Sequence, residues 1–197
     1  MRKFVVAFLL TCFAPLASAL SPYFQAGKLP AGDVQGVMAQ AEAKLAKAGL
    51  TVIGKYAPSG LAGYGVVVAS DKGLLDAVRS LGGASIVSAP IRVGVKADGT
   101  VTYMNLEYWA RAYLRKQYPL AEKAIKAAQG KLAAALGVGK PYGGDVDRKD
   151  LGDYQYMFGM EGFESDKNLL MEHLVFEDAV QAIRDNLARN AACSSDC

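Results

Sequence analysis

Apolar positions along this chain switch between two periods, and the switches outline its elements. Val34, Val37, Met38, Ala41, Leu45 and Ala48 recur at helical spacing after Asp33, a natural N-cap, and Gly49 ends the run. The β-branched content of 50–56 reads as a strand. Residues 58–63 read as a loop, and 64–69 as an apolar strand buried on both faces. Ser70 reads as the cap of a short helix carrying Leu74, Leu75, Val78 and Leu81, stopped by Gly82-Gly83. Helices are expected over 106–118, ended by Pro119, and over 120–136, with Ile125, Leu132 and Leu136 on one stripe and Gly137 at the C-cap. A last amphipathic helix is expected over 174–188. Residues 21–32 read as an irregular leader, 138–144 as a loop and 145–153 as a charged, exposed passage.

Between the helices lies the strongest local signal, two alternating runs folded back at Asp98-Gly99. A two-residue turn there would pair Lys96 with Val101, Val93 with Met104 and Arg92 with Asn105. Ile91, Val93, Val95 and Met104 then face the core. Arg92, Gly94, Tyr103 and Asn105 share the other face, with the Tyr103 ring covering the bare Gly94 backbone. One guanidinium, one phenol and one amide on a common wall suit a carboxylate, a phosphate or another polar ligand, so Arg92, Tyr103 and Asn105 are the expected ligand-binding residues. An outer sheet face in solvent accounts for the same pattern, and a one-residue slip in register reverses it.

The N-terminus adds a compartment. Arg2 and Lys3 precede an apolar run from Phe4 to Leu16, and Ala17-Ser-Ala19 fits a small-x-small cleavage site. Residues 1–19 thus read as a signal peptide cleaved after Ala19, giving a periplasmic or secreted protein with no membrane span after removal. Taking away Arg2 and Lys3 leaves 20 basic against 19 acidic side chains, so charge supplies no case for nucleic acid. With 52% hydrophobic residues the chain can bury a substantial core. In an oxidising compartment Cys193 and Cys197, spaced C-S-S-D-C, are expected to pair as a disulfide, though so small a loop adds little stability.

The runs Leu50-Thr-Val-Ile-Gly-Lys-Tyr-Ala-Pro58, Val66-Val-Val-Ala-Ser70, Ala89-Pro-Ile-Arg-Val-Gly-Val95 and Tyr103-Met-Asn105 resemble exported bacterial members of the domain of unknown function numbered three-oh-two. The resemblance spans about residues 33–136, and Tyr156-Met-Phe-Gly-Met160 is similar to segments that follow that domain in exported relatives. It implies a TBP-like α+β sandwich, an antiparallel sheet with helices on one face, often as a homodimer, and it carries no activity and no catalytic residues. The expected organisation is therefore a signal peptide (1–19), an α/β core (33–136) and an extension (137–197) holding a Gly-rich loop, an aromatic and Met-rich tract and a C-terminal helix.

Catalytic chemistry has little to draw on. His173 is the single histidine, and no Gly-x-Ser-x-Gly surrounds any serine. Gly137-Val-Gly-Lys140 fails as a phosphate loop because Pro141 stands where Ser or Thr is needed. Met157, Met160, Met171 and His173 offer soft ligands suited to Cu(I) as an alternative reading, while core methionines with a surface histidine are the simpler account of them. Arg111 and Arg115, one helical turn apart among aromatics, could hold an anion or form a solvated face. The reading that follows is an exported binding or accessory protein for a small polar or anionic ligand or a protein partner. The alternative is a periplasmic copper or redox carrier using the Met/His tract or the cysteine pair. No cofactor is assigned.

Overall fold

Antiparallel alternation, with one face apolar and the other mixed, builds the central layer. The structure is a computed structural model and describes residues 19–153 and 171–193. The chain divides into two units, Met1–Tyr154 and Gln155–Cys197. In the first, β2 (Tyr23–Gln25), β3 (Thr51–Tyr56), β4 (Tyr64–Ser70), β5 (Ile91–Lys96), β6 (Val101–Met104) and β7 (Lys140–Tyr142) form one six-stranded sheet, in the order β3-β4-β5-β6-β2-β7. Every neighbouring pair is antiparallel. A separate two-stranded ladder joins β1 (Ala19–Leu20) to β8 (Val146–Asp147).

Among the described residues of this unit the helices pack on one face of the sheet, so its fold is an α+β two-layer sandwich. α1 (Val34–Lys47) lies on β3, β4 and β5, and α4 (Tyr118–Leu136) packs against α1, α2 (Lys72–Leu81) and α3 (Leu106–Leu114). The expected stripes carry this packing: Val37, Met38, Ala41 and Leu45 of α1 and Ile125, Leu132 and Leu136 of α4 are buried. Fully burying a side chain such as Ile125 or Leu132 contributes about 1.5–3 kcal/mol. Asp33 caps α1 by accepting from the Gly36 amide at 2.7 Å. Asp71, not Ser70, caps α2, accepting from the Leu74 amide at 2.9 Å.

Several expectations change. β4 is buried on one face only: Gly65, Val67 and Ala69 are inside while Tyr64, Val66, Val68 and Ser70 alternate outward. The leader is no loop, since Tyr23–Gln25 is an inner strand between β6 and β7. Residues 140–142 form the sheet edge, where Pro141 needs no N–H for the ladder. The sandwich therefore extends on both sides of 33–136. Leu151, in the charged passage, is fully buried. The helix expected over 106–118 ends at Leu114, where Arg115 adopts φ 49°, and Pro119 lies in the first turn of α4, where a missing N–H is harmless.

In the second unit, the described residues include α5 (Phe176–Cys193), which starts two residues later and runs further than expected. On it Ala179 and Val180 are half-buried, whereas Ile183 and Leu187, like Val175 just before it, are exposed. No helix among the described residues is long and apolar enough to cross a membrane. The expected signal segment up to Ser18 lies outside the described residues.

Candidate binding face of the sheet

Everything about the site depends on the β5–β6 register, which is displaced by one residue from the expected pairing. Lys96 and Thr100 close a three-residue loop, with the Lys96 amide donating to the Thr100 carbonyl and the Gly99 amide donating to the Lys96 carbonyl, each at 2.9 Å. Gly99 takes φ 82°, the left-handed residue of a turn-plus-bulge hairpin. A side chain could not replace it, because a Cβ there would meet the Leu29 carbonyl oxygen at 2.0 Å. Val93 consequently pairs with Tyr103, Gly94 with Thr102 and Val95 with Val101.

That shift separates the three expected ligand-binding residues. Tyr103 turns to the helical side and is 2% exposed. Its hydroxyl donates to the Gly137 carbonyl at 2.9 Å and accepts from the Gly139 amide at 3.2 Å. Asn105 is buried beneath the N-terminal segment: its Nδ2 donates to the Ser21 carbonyl at 2.8 Å and its backbone amide donates to the Pro22 carbonyl at 2.9 Å. Both are structural ties rather than parts of a wall. Met104 is buried, as expected of a core residue, but register turns it to the side of Arg92, its sulfur accepting from the Arg92 amide at 3.3 Å. Arg92 alone keeps the expected position, exposed on the side away from the helices.

The open face carries a different site. Register places Tyr64, Val66, Gly94, Lys96, Thr102, Gln25 and Tyr142 on it, along with Arg92, Met104 and Tyr23. Over Gly94, which gives the floor no side chain, is a concavity of about 490 Å³. Pro58 and Leu61 overhang it from the 57–63 loop, Tyr64 and Val66 form one side, and Gln25, Thr102 and Tyr142 the other. Lys96 and Thr100 close the end near the turn, and the Lys96 ammonium lies 4.9 Å from the centroid of the Tyr64 ring. An apolar lining with a few convergent polar groups is the usual make-up of a small-molecule site.

Beyond Tyr142 the face ends in aromatics. The Tyr23 ring centroid lies 5.6 Å from that of Tyr142 and 5.8 Å from that of Trp109, which stacks on Tyr113 at 5.7 Å. The Trp109 indole N–H donates to the Pro22 carbonyl at 2.9 Å. Burial raises the Tyr23 phenol above its ordinary value, and the nearby Arg92 charge opposes the shift. Arg111, a candidate anion holder, is committed to Glu107 at 3.0 Å, a carboxylate that Arg148 also reaches at 3.0 Å.

The soft-metal residues are not brought together among the described residues. Met171 and His173 are exposed in the second unit, while Met157 and Met160 lie outside the described residues. So does Cys197, and Cys193 falls at the end of α5. Among the described residues no group of three or more His, Cys, Asp or Glu side chains could hold a metal ion. The residues missed from sequence, Gln25, Tyr64, Lys96, Thr102 and Tyr142, belong to five strands, two of which read as loops. No protein-family model and no curated protein matches the chain.

Proposed function

We propose that the protein is an exported binding or accessory protein whose open sheet face takes a small organic anion with a flat apolar body. The observation that carries this reading is the concavity over Gly94, with one ammonium at its end. Lys96 supplies the charge for a carboxylate. The Gln25 amide supplies hydrogen bonds around it, as does the Thr102 hydroxyl on turning from its long 3.4 Å bond to the Gly94 carbonyl. Tyr64, Val66, Leu61 and Tyr142 supply apolar surface for a planar body, and the missing side chain at Gly94 lets that body lie close to the backbone. The signal-like segment at 1–19 and the resemblance to exported proteins of the three-oh-two domain favour a periplasmic or secreted setting.

Calorimetric titration with biphenyl-4-carboxylate tests the reading. Micromolar to submillimolar binding is expected, weakened about tenfold in Lys96→Met, a loss appropriate to one charge-assisted contact. Titrations that release no heat up to several millimolar ligand overturn it.

A further inference from the structure

The charge on the open face is of one sign. Positions that register turns outward on the six strands include Arg92, Lys96 and Lys140 and no Asp or Glu. Asp98, a carboxylate close to this face, belongs to the turn, where its Oδ1 accepts from the Thr100 amide at 2.8 Å and Lys28 lies 3.8 Å away. Arg92 and Lys96 occupy the same face of β5, four residues apart, with bare Gly94 between them. Their Cα atoms are thus about 13 Å apart, since a strand advances roughly 3.3 Å per residue. Lys96 leans over Tyr64 of β4, whereas Arg92 stands in one row with Met104 of β6 and Tyr23 of β2. Among the described residues Arg92 makes no ion pair.

Two cations separated by more than the physiological screening length of about 8 Å act as two subsites rather than one. A single carboxylate cannot satisfy both. Building on the binding reading above, we propose that the ligand is an extended dianion. One carboxylate is held by Lys96 in the concavity, a rigid flat body crosses Gly94 between Val66 and Thr102, and the second carboxylate meets Arg92 beside Tyr23 and Met104. Arginine suits the far end because its planar fork binds a carboxylate through two parallel N–H donors.

The test compares biphenyl-4,4′-dicarboxylate with biphenyl-4-carboxylate by calorimetry on the full chain. In the wild type the diacid is expected to bind about tenfold more tightly than the monoacid. In Arg92→Gln that advantage disappears while monoacid binding stays as it was, and in Lys96→Met both ligands weaken. Circular dichroism confirms that each variant is folded; both positions are at the surface. Equal affinity for the two acids in the wild type, or a diacid advantage that survives Arg92→Gln, overturns the dianion proposal and leaves the monoanion site standing. Absence of binding by either acid overturns both.

Discussion

The Tyr103 hydroxyl bridges the two residues flanking Val138, donating to the Gly137 carbonyl and accepting from the Gly139 amide. It thereby ties the middle of the sheet to the chain leaving α4, just before edge strand β7. Tyr103→Phe removes the shared partner of a carbonyl at exposed Gly137 and an amide at half-buried Gly139, which costs about 1 kcal/mol. Urea denaturation is expected to show that loss, with biphenyl-4-carboxylate affinity unchanged. A Tyr103→Phe protein of full stability but impaired binding would return Tyr103 to the ligand wall.

Asn105 makes the corresponding tie at the other end of the segment. Its amide holds the Ser21 carbonyl, and the first amide of α3, Leu106, is satisfied by the Gln129 side chain at 2.7 Å instead. Asn105→Ala therefore releases the N-terminal strand rather than the helix. A destabilisation of about 1–2 kcal/mol is expected. Hydrogen exchange should quicken at the amides of Tyr23, Phe24 and Gln25 more than within α3; uniform acceleration across both would contradict this assignment.

Asp71 links two helices. It caps α2 through the Leu74 amide and takes the Lys131 ammonium of α4 at 2.5 Å. Burial alone would raise its carboxyl, but the Lys131 hydrogen bond, the Leu74 amide and the Lys131 charge outweigh it and hold the group below its ordinary 3.8. A carboxyl lowered on folding contributes stability that is present above the unfolded value and lost as pH falls through the folded one. The contribution of Asp71 should thus persist at neutral pH and fade from about 3.8 downward, the ordinary value for the group. Asp71→Ala is expected to lose about 1–2 kcal/mol at pH 7, and its difference from wild type should shrink in acid-denaturation curves below pH 4. A difference independent of pH would assign the effect to packing alone.

These ties explain which parts of the fold are legible in sequence. Helix stripes such as Val37-Met38-Ala41-Leu45 are read from spacing because burial on one side imposes the period locally. The position of Tyr103 is not local. It depends on whether Gly99 serves as half of a two-residue turn or as the left-handed bulge of a three-residue loop, and one residue of register moves every side chain to the opposite face. The bulge is favoured by Leu29, whose carbonyl closes over Gly99 from a segment with no strand-like pattern. Tyr23–Gln25 and Lys140–Tyr142 are likewise too short to show alternation; the first becomes a strand because β6 offers it a ladder, and the second because the first does. Arg92 is legible because its place on the outer face of β5 follows from alternation alone. Lys96, Thr102, Gln25 and Tyr142 converge only once four strands are in register.

Gly94 provides the sharpest check on the concavity. A Cβ there would lie 2.9 Å from the Thr102 hydroxyl, which can rotate aside, and Gly94 lacks the left-handed backbone found at Gly99. Gly94→Ala should therefore be tolerated by the fold, within about 1 kcal/mol of wild type, since alanine also loses less backbone entropy. Gly94→Val would put two methyl groups where the flat body of the ligand is expected to lie. Binding of biphenyl-4-carboxylate should fall in the order Gly, Ala, Val, by about tenfold or more at the last step, while urea midpoints change little between Gly and Ala. Affinity that is indifferent to residue 94 in folded variants would mean that the ligand does not approach the floor of the sheet.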